Sequence, residues 1–264
     1  MTHSQWVPSM FHRLLELPPE VRDRYDLSSH RVAIHAAAPC PVELKQRMFD
    51  WWGPIIWEYY SASERVGATI IGPEEWLARP GSVGKPMVGT PHVCDDEGNE
   101  LPTGEVGTIW FEGGPTFEYR NDPDKTRGAR DARGWQTVFD MGWLDDDGYL
   151  YLADRRSDLI ITGGVNVYPR EIELALLEHP DVGDAAVVGI PDDRFGRAVV
   201  ALIEPHRGRH PDIDVLHDHL RDRLAPFKRP RHILVLEELP RTESGKLRRG
   251  ETAELAEQLL LPRS

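Results

Sequence analysis

Residues 31–60 read RVAIHAAAPCPVELKQRMFDWWGPIIWEYY. Residues 31–38 and 54–60 are apolar runs, and residues 42–52 between them carry apolar side chains at helical spacing. A run, a helix and a second run make the alternation expected of a wound sheet with helices packed on it. Upstream, residues 11–17 form a short amphipathic stretch stopped by Pro18 and Pro19, which continues the same texture.

Downstream the texture changes twice. Residues 81–152 hold short strand-like runs with turn signals at Asp95-Asp96-Glu97-Gly98, Pro102-Thr103-Gly104 and Asp146-Asp147-Gly148. That spacing suggests a small barrel or a set of hairpins. Beyond about residue 158, Pro169 opens a helix through residue 177, and strands follow at 184–190 and 197–204. Ile213, Leu216, Leu220 and Leu224 then share one helical face before Pro226, and 232–236 reads as another strand. These features predict a compact α+β domain of about a hundred residues.

The 264 residues carry 31 Lys+Arg against 44 Asp+Glu, a net charge of −13. An acidic balance argues against nucleic-acid or anionic-membrane partners, while leaving room for a local site for a small phosphorylated ligand. The only two cysteines, Cys40 and Cys94, make neither a disulfide framework nor a thiolate zinc site, and the 11 histidines form no HExxH. No basic-plus-apolar leader and no apolar run of about 20 residues occurs, so the default expectation is a cytoplasmic chain without a transmembrane segment.

Four segments are richer in unusual residues than packing requires. Glu58-Tyr59-Tyr60-Ser61-Ala62-Ser63-Glu64 runs from an apolar strand into small hydroxyl residues and an acid. Small residues admit a phosphate, hydroxyls donate to it and an acid holds magnesium, yet a strand entering a solvated turn also satisfies the stretch. Residues 139–155 surround an acidic hairpin turn, with Asp140 before it and Arg155 after it. Such a pair suits vicinal ribose hydroxyls or a structural ion pair. Gly163-Gly164-Val165 precedes the helix opened by Pro169, giving either close ligand approach or a plain loop. Lys246 sits in a Gly-containing loop, where it can reach a phosphoryl group or remain solvated.

In their joint order these segments resemble the adenylate-forming superfamily, which includes acyl- and aryl-CoA synthetases, luciferase and peptide-synthetase adenylation domains. Residues 58–64 look like "EYYGSTE", 140–155 like "TGDxGxLDxDGYLYIxDR", 163–173 like "GGxNVYPxEIE" and 240–246 like "PRTxxGK". Residues 81–86 and 224–231 look like "GSVGxP" and "LAxYKxPR", so the resemblance covers nearly the whole chain.

The resemblance implies an α/β and α+β architecture. Residues 1–154 would be a portion of the AMP-binding large domain, split into a partial α/β subdomain (1–75) and a β-barrel-like subdomain (76–154). Residues 155–157 would be a hinge, and 158–264 a mobile C-terminal domain. The implied reaction activates a carboxylic acid with ATP, giving an acyl adenylate, and then transfers the acyl group to coenzyme A with release of AMP. By the same resemblance Ser63 contacts the α-phosphate, Glu64 holds Mg2+, Asp140 and Arg155 hold the ribose, and Lys246 bridges carboxylate and phosphate. Ala36, Ala37 and Ala38, with Tyr59, Tyr60, Ser61 and Ala62, would border the nucleotide. Gly163, Gly164 and Val165 would line the pantetheine path. Lys228, in a basic cluster with Arg221, Arg223, Arg229 and Arg231, would meet the CoA phosphates unless that cluster is merely a solvated helix end.

The sequence departs from the family pattern at several points. Phe139 stands where "TGD" has glycine, Ala36 and Ser61 replace glycines of "GAAP" and "YGSTE", and Ser157 occupies the hinge position often held by Asp or Lys. No segment resembles the phosphate loop "TSGTTGxPKG". The chain therefore looks like the C-terminal half of such an enzyme. The expected function is a fatty- or other carboxylic-acid–CoA ligase in truncated or split form, weak or inactive alone. The alternatives are an adenylation domain serving a carrier protein and a noncatalytic nucleotide- or CoA-binding remnant. Expected partners are a small carboxylic acid and a separately encoded N-terminal half, with self-association open. Trp51, Trp52, Trp57 and Tyr59 either line an acyl tunnel or pack the core.

Overall fold

A computed structural model describes residues 1–242 and 246–260, and Lys246 is the only residue of the 243–246 stretch it describes. The chain divides into two compact units, Met1–Ala153 and Asp154–Ser264.

The first unit is built on a nine-stranded sheet. Its strands are β1 (His3–Trp6), β2 (Val32–His35), β3 (Ile56–Ser61), β4 (Ala68–Ile71), β5 (Ser82–Val88), β6 (Thr90–Cys94), β7 (Gly107–Glu112), β8 (Asp140–Leu144) and β9 (Leu150–Arg155), whose last two residues already belong to the second unit. They lie in the order β1-β2-β3-β4-β5-β9-β8-β7-β6. Strands β1, β2 and β3 run parallel, and the pairs from β3 through β5 to β9 are antiparallel. The helices are α1 (Pro8–Leu15), α2 (Pro19–Arg22), α3 (Val42–Trp52), α4 (Pro73–Ala78) and α5 (Pro123–Gly128).

Helix α3 occupies the stretch expected from periodicity. It buries Leu44, Lys45, Met48 and Phe49 and stops at Gly53, whose N–H bonds the Phe49 carbonyl at a φ of 75°. That face packs with Phe11, Leu15, Ile56, Ile71 and Trp76. The apolar run 31–38 is shorter as a strand, because β2 ends at His35 and residues 36–38 leave the sheet as a loop.

The strands expected as a barrel or hairpins are β5–β9, and their ladder runs on directly from the wound part through β5. That strand pairs with β4 on one side and β9 on the other, with a register shift beside Gly84 in the β9 ladder and a second one between Pro86 and Val88 in the β4 ladder. Gly84 has a φ of 97°, and an added Cβ would lie 2.0 Å from the Ile70 carbonyl oxygen. A side chain at this position beside the bulge would meet both a disfavoured φ and a backbone clash, so glycine is required there.

The second unit contains the hairpin β10 (Ile160–Thr162) and β11 (Val165–Val167), and a sheet of β12 (Val182–Asp192), β13 (Gly196–Pro205) and β14 (His232–Val235). Helices α6 (Pro169–Leu177), α7 (Ile213–Arg221) and α8 (Arg249–Leu260) cover the sheet. Successive residues of β12 point to opposite faces. Val187 joins Ile172, Leu176, Leu216 and Leu220 on one face, while Ala186 and Val188 join Leu202, Leu239 and Ala256 on the other. The unit is thus a three-layer arrangement with a core on each side of its sheet.

Candidate active site

Ligands of wound sheets collect outside the carboxyl ends of parallel strands. At those ends of β2 and β3 begin the loops holding residues 36–39 and 61–65, side by side because Ala33 pairs with Ile56 and His35 with Glu58. Ala36 is buried, Ala37 and Ala38 are exposed, and the positive φ of this loop falls on Ala37 at 73°. The alanine that replaces the family's glycine is therefore not the strained one.

The second loop closes as a turn in which the Arg65 N–H donates to the Ala62 carbonyl at 3.0 Å. Ser63 and Glu64 are its central residues, with Ser63 exposed and Glu64 half-buried. Arg65 follows in the left-handed region at a φ of 61°. Ser61 ends β3, and its hydroxyl donates to the Gly67 carbonyl at 3.0 Å, so a side chain here braces the turn. Tyr59, beside it in β3, is half-buried.

Asp140 is brought to the same strand from 80 residues away. The Tyr60 hydroxyl donates to its Oδ2 at 2.7 Å. Asp140 is buried and opens β8, directly after Phe139, whose φ of 65° places a bulky residue in the left-handed region. Thr137 holds that backbone: its hydroxyl accepts from the Phe139 N–H at 2.9 Å and donates to the Ile109 carbonyl at 2.7 Å. Thr137 escaped the sequence reading because nothing in its neighbours marks it out.

Beneath the two loops lies a buried charge cluster that the sequence also did not disclose. Lys45 Nζ is 2.7 Å from Glu58 Oε2, and His35 Nε2 is 3.3 Å from the same oxygen. Lys45 and His35 are wholly buried and Glu58 nearly so, with the ammonium over the Trp76 ring at 4.6 Å. Burial pushes the Glu58 carboxyl up, but His35 and Lys45 outweigh it and hold the group below its ordinary value. Burial pulls Lys45 down against the opposing pull of Glu58.

Trp51 and Trp52, expected to line a tunnel or pack the core, line an apolar cavity of about 170 Å³ with Trp6, Leu14 and Leu27. Trp52 also packs against Phe11 and His30. Trp57 is partly exposed, and its ring lies close against Gly72.

In the second unit, Arg155 and Ser157 are exposed, and Arg156–Asp158 form a short 3-10 turn. Gly163 and Gly164 are the two central residues of the β10–β11 hairpin, with φ of 57° and 81°. Positive φ at both positions is what a two-residue primed turn demands, so backbone geometry alone accounts for both glycines. Val165 is exposed beside them, and an added Cβ on Gly164 would meet open space.

Lys228 Nζ lies 2.6 Å from Glu171 Oε2 and 2.7 Å from Oε1. Arg221, Arg223 and Arg231 pair with Asp218, Glu178 and Asp192, and Arg229 donates to the Leu224 and Arg221 carbonyls. Each member of the basic cluster is thus already engaged. Lys246 is exposed; its N–H donates to Thr242 Oγ1 at 3.1 Å and its carbonyl accepts from the Thr242 N–H at 2.9 Å. Glu243, Ser244 and Gly245 of the "PRTxxGK" match lie outside the described residues.

A family profile described as AMP-binding enzyme matches residues 1–118, and one described as AMP-binding enzyme C-terminal domain matches residues 171–246. A long-chain-fatty-acid–CoA ligase of Bacillus subtilis is 37% identical over 246 residues, 92% of this chain and 43% of its own. An amide bond synthetase structure from Marinactinospora thermotolerans superposes with a TM-score of 0.85 at 32% identity, over 96% of this chain and 52% of its own. The o-succinylbenzoate CoA synthetase of Bacillus subtilis, solved with its acyl-adenylate intermediate, gives 0.80 at 30% identity, over 100% and 52%. The chain belongs to the adenylate-forming family of AMP-binding enzymes. It spans about half the length of the curated relatives it matches.

Proposed function

We propose that this chain is the adenylate- and CoA-handling part of a carboxylic acid–CoA ligase. The observation that carries the reading is the Tyr60–Asp140 hydrogen bond, which joins two motif segments at the carboxyl end of the parallel strands. In this reading a substrate carboxylate oxygen attacks the α-phosphorus of ATP, and the bond to pyrophosphate breaks. The CoA sulfur then attacks the acyl carbon, the thiol proton passes to solvent, and AMP leaves.

Asp140, fixed by Tyr60, accepts from the ribose hydroxyls, and Arg155 donates to them. Ser63 donates to the α-phosphate from the turn tip, while Ala36–Ala38 and Tyr59–Ala62 border the nucleotide. Lys246 supplies positive charge where it builds on the phosphoryl oxygens. Glu64 suits a magnesium ion, because among the described residues no hydrogen bond or ion pair occupies its carboxylate. Bound there, the ion would neutralise phosphate charge. The Gly163-Gly164-Val165 turn offers a low-profile edge to pantetheine, and Lys228 can serve CoA phosphate by exchanging Glu171 for it.

The fatty-acid ligase among the relatives makes long-chain fatty acids the first substrate class to try, with aryl acids next. The test is carboxylate-dependent ATP–pyrophosphate exchange by the purified chain, alone and with a separately produced N-terminal half bearing a phosphate loop. Exchange only in the mixture is expected. Robust exchange by the chain alone overturns the division of labour, and none in the mixture across both acid classes overturns the ligase reading. Transfer to a phosphopantetheinyl carrier but not to free CoA would favour a carrier-serving adenylation domain.

A further inference from the structure

Arg249 opens helix α8, where the positive end of the helix dipole disfavours a cation. Its surroundings explain it. Nη1 and Nη2 grip the two oxygens of Glu173 in α6 at 2.7 and 3.2 Å, and Nη1 also donates to the Val187 carbonyl of β12 at 2.9 Å. Nε reaches Asp158 Oδ2 at 2.8 Å. Glu173 is almost wholly buried and also accepts from the Val187 N–H at 2.9 Å. One planar guanidinium therefore fastens α6, β12, α8 and the last residue of the Arg156–Asp158 turn, using the fork geometry that lysine lacks.

Arg249 stands three residues after Lys246, and the intervening chain is short of slack. The Arg248 N–H donates to the Pro240 carbonyl at 2.9 Å, the Thr252 N–H donates to the Arg248 carbonyl at 3.0 Å, and Arg241 pairs with Asp184 of β12. At the other end of the turn, Asp154 Oδ2 accepts from the Arg170 N–H at 2.8 Å and its Oδ1 accepts from the Arg155 N–H. The segment 154–158 is thus tied at both ends to its own unit, and its second tie is the same side chain that anchors the start of α8.

We propose that Arg249 is a positioning residue coupling the backbone at 156–158 to the placement of Lys246. The functional weight of this coupling rests on the ligase reading, in which Lys246 must be placed for adenylation and withdrawn for thioester formation. Movement of the turn then changes the Asp158–Arg249 contact and, through it, the segment that carries Lys246.

The test is site-resolved amide exchange on the full chain, which requires neither nucleotide nor activity. Asp158→Asn removes the half-exposed end of the strut while leaving Glu173 paired. It is expected to speed exchange about tenfold at the Lys246 and Arg248 amides, which Asp158 does not touch, with the melting temperature and the β12–β13 amides little changed. Arg249→Lys, which keeps the charge but cannot span Asp158 and Glu173 together, should speed the same amides. Acceleration confined to residues 154–160, or none in either variant, overturns the proposal. Should Arg249→Lys unfold, Asp158→Asn decides alone. Failure of pyrophosphate exchange would refute the ligase reading and leave this result standing.

Discussion

Phe139 is, with Ala37, Arg65 and Asn121, one of the non-glycine residues held at a left-handed φ, and it is the aromatic one among them. A left-handed φ costs a non-glycine residue about 1–2 kcal/mol, and β-branched side chains suffer most. Phe139→Asn should therefore match or exceed the parent in denaturant-induced unfolding, while Phe139→Val should lose about 1–2 kcal/mol relative to it. The replacement of glycine was visible in the sequence, but its φ was not, because the bracing by Thr137 comes from tertiary placement. The Lys45–Glu58 pair is a second such case: a lysine on a helix reads as solvated until the fold buries it. Removing one partner of a buried pair costs about 3–5 kcal/mol, whereas apolar replacement of both is near neutral. Lys45→Met alone should be strongly destabilising and Lys45→Met/Glu58→Leu should recover most of the loss, read as denaturation midpoints. Because Glu58 is held below the ordinary glutamate value of 4.5, its contribution is present above that pH and is lost as the pH falls through the lower value it has in the fold. The acid limb of the stability curve should flatten in the double variant.

At the scale of elements, the limits of α3 and α6 were readable because each has a repeating apolar face and a local stop or start signal: Gly53 after one, Pro169 opening the other. The loops beyond β2 and β3 were readable as chemistry only through their joint order. What no local signal carried was the continuity of the nine-stranded sheet, since β5 meets β4 and β9 through contacts distant in sequence. That continuity hangs on Gly84. Gly84→Ala should cost at least about 2 kcal/mol, from a left-handed φ combined with a clash against backbone that cannot rotate away. Thermal unfolding checks it, and Gly104→Ala, with a positive φ but nothing within 4 Å of an added Cβ, serves as a strain-only comparison.

The whole chain consists of two units, and the candidate chemistry divides between them, with Ser63, Glu64 and Asp140 in the first and Arg155 and Lys246 in the second. In the mixture with an N-terminal half, Lys246→Ala should lower adenylation about a hundredfold or more while sparing thioester formation from preformed acyl adenylate, since only the first step builds charge on a phosphoryl group. Equal loss in both half-reactions would remove Lys246 from the phosphoryl step.

All 8 tryptophans, from Trp6 to Trp143, precede the boundary at Ala153. Indole fluorescence therefore senses the first unit alone, whereas far-ultraviolet circular dichroism senses both. During urea unfolding, the separation of the two optical midpoints measures how independently the units melt. Without any added label, the native fluorophores can thus follow one half of this chain while the other is perturbed.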